Sequence, residues 1–397
     1  MSNALLTPTA VTREALRVLH QKLTFIGSIN RQYDSSFAKS GAKIGDSLKI
    51  RLPNQYTVRT GRVMDVQDTN ETSVTLQVAT QKGVDLGFTS ADLTLSLDDF
   101  SKRILEPAMA VLAAAIESDA LNMRKDVYNQ VDNTAAAITF AKVLEGRKKL
   151  EDGLTPAGGR TALLNTLDNA RLVDALKGLF QDGRELGKQY REGYMGYASG
   201  FEFAESTHLS TQERGAGNAS YAVTTTVSAQ GATSVVLKTG TGAIKAGEII
   251  TFGSVFSVHP ETKVSTGILQ QFVVTSDYSG GAGTISVSPA MTTTGAAQNI
   301  SAFPQADAAV TISGTASTNY GQSMMYHKDA FTFATADLVM PKGVDFAARE
   351  VYDGISMRVV RQYDINNDQF PCRLDVLYGY KTLRAQLATR LANSASV

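Results

Sequence analysis

Between Gly215 and Ser317 the chain nearly stops using charge. Only Lys238, Lys245, Glu248, Glu261, Lys263, Asp277 and Asp307 are charged there, seven residues in 103, against 19% for the whole chain. A long stretch this poor in charge and rich in Thr, Ser, Gly and Val has to satisfy its backbone polar groups in sheet rather than on solvated helices. Short apolar runs (TSVVLK, EIITFG, SVFSV, QQFVVTS, GTISVSP) are separated by turn residues at Lys245-Ala246-Gly247 and Gly280-Gly281-Ala282-Gly283. The pattern predicts an antiparallel β-barrel or sandwich. Its predicted core is Ile249, Phe252, Val255, Phe256, Phe272, Val274 and Ile285. A chain of 397 residues exceeds one usual core, so this module is read as a domain placed inside another.

The flanking texture differs. Leu16, Leu19, Leu23 and Ile26 recur at helical spacing after Thr12, a candidate cap. This short helix precedes the polar run NRQYDSSFAKSGAK, and together they read as an arm that must rest on another surface. GDSLKIRLP and SVTLQV then alternate as strands, with Pro53 interrupting the first. They predict a two-stranded excursion from about Ile50 to Phe88. A lone hairpin is marginal in water, so it too is expected to lie on a surface, such as a neighbouring subunit.

LSLDDFSKRILEPAMAVLAAAIESDALNMRKDVYNQV carries the strongest helical signal, capped by Ser96 with Asp98 and Asp99 in the first turn. It reads as a spine of roughly 50 Å running to Val127, kinked or split at Pro107. FAKVLEGRKKLEDG predicts a helix ended by Gly153, RTALLN a buried strand, and DNARLVDALKGLF a helix stopped near Gly183. After the barrel, SMMYHKDAFTFATADL predicts a helical turn and strand. GISMRVVRQYD and CRLDVLYGY predict strands, and TLRAQLATRLANS a short closing helix.

Charge and composition narrow the function classes. Lys plus Arg equals Asp plus Glu at 38 each, whereas a dedicated nucleic-acid binder carries a basic surplus. Zero net charge offers little resistance to self-association. No apolar run of about 18 residues is present, so no membrane span is expected. MSNALLTPTAVTREAL shows no leader pattern, and the single Cys372 cannot form an intrachain disulfide.

No chemistry emerges from the motifs. His20, His208, His259 and His327 are scattered without ligand spacing. DINNDQ starts like a calcium loop, but Gln369 and Asp375 stand where Gly and Glu are needed. GTGAIKAGE and GGAG lack the residues of a phosphate loop, and GYASG is not a nucleophile elbow. The basic Lys102, Arg103, Arg124 and Lys125 are balanced by Asp98, Asp99, Glu117, Asp119 and Asp126. No catalytic residue, cofactor or metal site is expected, and the chain is not read as an enzyme.

Two passages, GDSLKIRLPNQYTVRTG leading into LTLSLDDFSKRILEPAMAVLAAAIESDAL and the terminal GISMRVVRQYDINNDQFPCRLDVLYGYKTLRAQLATRL, resemble tailed-phage major capsid proteins of the Hong Kong 97 fold. IKAGEIITFGSVFSV, QQFVVTS and TISVSP are similar to the β-barrel insertion of coat proteins from short-tailed enterobacterial phages, and FATADLVMP resembles the segment that follows it. The long charged loop that those relatives carry early in the insertion is replaced by the short, uncharged TTTVSAQGATS.

The resemblance implies an α+β capsid fold with an inserted antiparallel β-barrel. Its parts would be an N-terminal arm (1–44), an extended loop (45–89), the spine helix of a peripheral domain (90–137) and an axial domain (138–214 and 318–350). The inserted barrel (215–317) and returning peripheral strands with the C-terminal segment (351–397) would complete it. Assembly contacts are expected at Tyr56, Val58, Arg59, Arg62, Val74, Leu76 and Val78 of the extended loop. The implied partners are further copies of the chain as hexamers and pentamers, a scaffolding protein, a portal and enclosed double-stranded DNA. The implied location is the virion, after assembly in a bacterial cytoplasm. The competing reading is a phage decoration, tail or adhesin protein with a carbohydrate-binding β-domain.

Overall fold

The computed structural model describes residues 8–34, 47–59, 61–64, 66–67, 72–88, 104–176, 196–365 and 369–394. The predicted Ser96 cap, the stop near Gly183 and the centre of DINNDQ lie outside the described residues, as does most of the polar run after Asp34. Contacts divide the chain into two compact units. One contains Met1–Arg51, Ser73–Leu121 and Phe331–Leu383; the other contains Leu52–Thr72, Asn122–Ala330 and Arg384–Val397.

The first unit is built on the long strand Phe370–Thr382. Thr80–Phe88 pairs along one of its edges, while Phe331–Ala336 and Ile355–Arg361 share the other. Phe346–Tyr352 extends the sheet beyond Ile355–Arg361, and Asn30–Asp34 adds a parallel strand to Phe331–Ala336. Helices α1 (Pro8–Lys22), α2 (Phe25–Ser28) and α3 (Glu106–Leu121) belong to this unit.

Leu16, Leu19, Leu23 and Ile26 are all buried, but the single predicted helix is broken after Lys22: Leu16 and Leu19 lie on α1, Leu23 in the break and Ile26 on α2, and α1 packs on α3 and the Phe346–Tyr352 strand. The N-terminal helix therefore rests on its own unit. It starts at Pro8, where a missing N–H costs nothing, so Thr12 lies inside the helix and is buried rather than capping it.

Helix α3 likewise carries Pro107 in its first turn, after a π-type turn at Ile104–Leu105; the stretch before it, on which a kink or split at Pro107 would be read, lies outside the described residues. It ends at Leu121, followed by a 3-10 turn over Asn122–Asp126. The predicted continuous helix to Val127 is shortened there, and Arg124 reaches Ser210, Thr211 and Gln212 through its guanidinium.

Buried Glu117 on α3 accepts backbone N–H groups from Thr24 (3.1 Å), Phe25 and Ile26 (3.5 Å), the start of α2. Nearby, Tyr378 Oη donates to Asp119 Oδ2 at 2.5 Å, and Lys82 Nζ pairs with the same oxygen at 2.6 Å. Those bonds tie α3 to two strands of the sheet.

In the second unit, seven strands form a mixed sheet. From one edge its order is Gln130–Asn133, Ala388–Ser394, Asn319–His327, Arg160–Leu164, Phe201–Glu205 and Tyr197–Ala198, with Gln212–Glu213 beside Asn319–His327. Helices α4 (Phe140–Asp152) and α5 (Thr166–Leu176) accompany it, and Gly153 closes α4 as the sequence predicts. Arg160–Leu164 is buried throughout. Ala388–Ser394 is a strand, not the predicted helix: it lies between two partners, and every residue but Ser394 is buried. The leucine and alanine spacing suits a helix, but pairing on both edges overrides local propensity.

The barrel also belongs to this unit. Its strands run in the order Ala222–Val223, Ala232–Lys238, Gly283–Met291, Ser265–Val274, Ile249–Val258 and Val310–Ile312. The two ends meet: Val223 N donates to Ala308 O, Asp307 N to Val223 O, and Val310 N to Tyr221 O, which closes the sheet on itself. Its core includes Phe252 and Phe272, edge to face with ring centroids 5.5 Å apart, and Val274, Ile285 and Val287. The cluster at Gly280 turns between the paired strands Ser265–Val274 and Gly283–Met291, whereas the one from Gly240 to Gly247 is a crossover turn, because the strands it joins, Ala232–Lys238 and Ile249–Val258, are not neighbours in the sheet. Gly280 has φ +99°, and a Cβ there would strike the carbonyl of Gly242 in the other turn, so only glycine fits.

Two outcomes follow. Burial pushes the Glu117 carboxyl up from 4.5 to about 7 despite its three N–H donors. Its folded value exceeds its unfolded one, so its stability contribution is full below about pH 4.5 and lost as pH rises through about 7, on the order of 3 kcal/mol in all. Urea midpoints measured from pH 4.5 to 7.5 should fall for the native chain and fall less for Glu117→Gln. In the barrel, Phe272→Ala leaves a cavity at a fully buried ring and should cost about 3–5 kcal/mol. Hydrogen exchange at Val235, Ile285 and Val287 reads that loss directly.

Candidate assembly surfaces

The stem of the extended loop is the antiparallel pair Ser47–Arg51 and Ser73–Gln77, in register from Ser47 opposite Gln77 to Arg51 opposite Ser73. One further bond, Leu52 N to Thr72 O at 2.9 Å, closes it before Pro53 stops the pairing. Thr80–Phe88 is not part of the excursion, because it turns back into the sheet beside Phe370–Thr382. Gly379 lets the stem sit close: a Cβ there would overlap the carbonyl of Gln77.

Beyond the stem, side-chain bonds hold the loop where strand pairing has ended. Gln67 accepts from Thr57 N (2.8 Å) and Thr57 Oγ1 (3.1 Å) through Oε1, and donates through Nε2 to Thr57 O (2.6 Å). The loop exposes five large apolar side chains, from Tyr56 at 57% to Val58 at 95%, with Val63, Met64 and Val66 between. Arg59 and Arg62 are exposed beside them. Apolar residues clustered on a solvated loop are the usual mark of a surface completed by another molecule.

The predicted assembly residues thus divide. Tyr56, Val58, Arg59 and Arg62 lie on the exposed loop, and Val74 is half-buried in the stem. Leu76 and Val78 are fully buried in a cluster with Ala334, Ala336, Leu338 and Leu377, so they anchor the stem and offer no face to a partner. Their alternation had marked a buried side without saying whose. Val63, Met64 and Val66 were missed because RVMDVQD reads as polar turn sequence.

The predicted barrel core divides similarly. Phe252, Val255, Phe272, Val274 and Ile285 share one cluster. Ile249 is buried but points away from that cluster, as does its strand partner Val273, and Phe256 is half-exposed beside a register shift. Tyr221 and Tyr278 were missed. They pack edge to face at 6.0 Å and donate to the carbonyls of Gly242 (2.5 Å) and Gly281 (2.6 Å), fastening both turns.

At the stem of the barrel, Glu248 accepts from Gly215 N (2.6 Å) and Lys245 N (2.7 Å). Arg214 donates to the carbonyls of Gly215, Gly217 and Ser313. Burial raises the Glu248 carboxyl, opposed by those N–H bonds and by Arg214. The geometry is that of a clasp rather than a reactive site. Among the described residues no group of three His, Cys, Asp or Glu side chains could hold a metal ion. Burial pushes the Cys372 thiol up to about 12, far from a reactive thiolate.

Among solved structures, the chain is similar to one from Mycobacterium phage Che8, with 13% identity, 93% of this chain and 90% of the other covered, and a TM-score of 0.46. It is also similar to the capsid of cyanophage P-SCSP1u, with 9% identity, 94% and 89% covered, and a TM-score of 0.45. The mature capsid of bacteriophage PhiM1 gives 10% identity, 93% and 86% covered, and a TM-score of 0.42. No curated protein sequence matches the chain. The sequence pattern of a phage coat family, described as P22 coat protein, gene protein 5, matches residues 9–389. That match runs through the stem, both flanks of the barrel and the barrel itself, and so the chain belongs to the P22 coat protein family, the coat proteins of bacteriophage capsids.

Proposed function

We propose that the chain builds the icosahedral shell of a tailed phage as hexamers and pentamers around double-stranded DNA. In this reading the fold is of the Hong Kong 97 type, with an N-terminal arm (1–44), an extended loop (45–89) whose last strand, Thr80–Phe88, has already returned to the sheet, a spine segment (90–137) and an axial domain (138–214 and 318–350). Residues 215–317 are the inserted barrel and 351–397 the returning strands, as in coat proteins of short-tailed enterobacterial phages. Assembly takes place in the cytoplasm of a bacterial host, with a scaffolding protein and a portal as partners.

The observation that carries the reading is the exposed loop between Leu52 and Thr72. Its five apolar side chains would cost solubility on a protein that stayed alone, and covering them with a neighbouring subunit removes that cost. Equal numbers of basic and acidic residues suit a wall that encloses DNA without gripping it. A carbohydrate-binding decoration or adhesin role is not favoured, because the family match spans the flanks as well as the barrel.

Deleting residues 55–67 should leave a folded subunit, since the stem closes below them at Leu52 and Thr72. Electron micrographs of the variant co-expressed with scaffold should then show few or no shells; shells of normal size and yield would refute the assignment. Residues 215–317 expressed alone should give a dispersed, β-rich NMR spectrum, and a collapsed one would count against an autonomous barrel.

A further inference from the structure

The mixed sheet of the second unit ends at Gln130–Asn133, whose strand partner among the described residues is Ala388–Ser394 alone. The pairing is parallel, with Arg390 opposite Gln130, and Arg390 N donates to Asn129 O at 2.8 Å. In a parallel ladder the residue directly opposite points its own N–H and C=O the other way. Gln130 therefore presents a donor and an acceptor on the free side of an edge strand. Such an edge is a template for pairing with another chain.

Those two groups are taken by one side chain of the barrel. Gln271 Oε1 accepts from Gln130 N at 2.9 Å, and Gln271 Nε2 donates to Gln130 O at 3.0 Å. A primary amide carries the same donor and acceptor as a peptide group, so this reproduces one rung of a β-ladder. Lys149 Nζ on α4 also donates to Gln271 Oε1 at 2.8 Å, which sets the orientation of the amide. Two positions along, Asp132 Oδ2 accepts from Ser313 Oγ at 2.5 Å, and Gln130 Nε2 donates to the same hydroxyl at 3.2 Å. Gln271 shares the outer face of the barrel with Ile249 and Val273, both buried, so it is held on a covered part of that face.

We infer that the barrel guards this edge: the Gln271 amide takes the place of a further strand and prevents Gln130–Asn133 from pairing with the same strand of a second copy of the chain. The second copy is the natural intruder, because a shell protein accumulates to high local concentration and identical edges are matched in length and register. The guard concerns the free subunit, and it holds or fails independently of whether the exposed loop builds shells.

The test uses the full chain as a dilute subunit, with Gln271→Ala and the isosteric Gln271→Glu, which keeps the shape but loses the donor to Gln130 O. Amide exchange at Gln130 should accelerate at least tenfold in Gln271→Ala and stay slow in Gln271→Glu, whose carboxylate still accepts from Gln130 N, while Ile285 and Val287 in the barrel stay protected in both. Sedimentation velocity should show concentration-dependent dimers. Adding Gln130→Pro, which removes the edge donor, should return either variant to monomer. Unchanged exchange at Gln130 in Gln271→Ala, faster exchange in a Gln271→Ala chain that stays monomeric, or dimers that survive Gln130→Pro would each overturn the inference. Loss of fold in both single variants would also overturn it, by showing that the amide is needed for structure rather than for guarding.

Discussion

The second unit depends on one long-range backbone contact. The chain leaves the mixed sheet at Gln212–Glu213 and must come back at Asn319–Tyr320, directly opposite. Everything between has to close on itself or the sheet cannot form. The barrel meets this condition by pairing its own ends, residues 221–223 against 307–310, just inside the point of departure. Arg214 N to Thr318 O and Ser317 N to Gly215 O complete the neck, and the Glu248 and Arg214 clasps hold it. Bringing such distant segments together carries a loop-closure cost that local strand pairing within the barrel offsets.

The first unit solves a different problem, that of seating a polar-ended N-terminal segment on a sheet. Apolar burial of α1 does most of this, and Glu117 adds direction by taking the three leading amides of α2. A carboxylate among helix N-terminal amides is favourable, yet burial opposes its charge. The balance leaves a group that titrates near neutrality inside an otherwise apolar contact. Asp119, shared by Tyr378 and Lys82, plays the comparable part between α3 and the sheet, and it raises the phenol of Tyr378 further beyond its ordinary range.

Two kinds of unfinished surface remain. The loop between Leu52 and Thr72 exposes five large apolar side chains and is tied across by Thr57 and Gln67. The strand edge at Gln130 is polar and already covered by Gln271. A shell subunit needs the first kind of surface and must suppress the second, since a matched strand edge associates without regard to the geometry of a closed shell.

Much of this could be read from residues alone, where one physical rule dominates a segment. Alternation identified the strands at Leu48–Ile50, Val74–Leu76 and Ile355–Arg361; Gly153 ended α4; and the loss of charge after Gly215 marked the barrel. What stayed hidden was decided by partners distant in sequence. LATRLANS has helical spacing but became a strand because two others flank it, and Leu76 and Val78 were claimed by their own core. Nothing in QQFVVTS distinguishes Gln271 from any polar strand residue, because its role exists only where the barrel meets an edge formed elsewhere. The sequence by itself determined where sheet, helix and turn could form, since burial period and backbone freedom are local. Only the tertiary structure decided which apolar faces were buried inside the subunit and which were left exposed, because that depends on which distant segments pack over them.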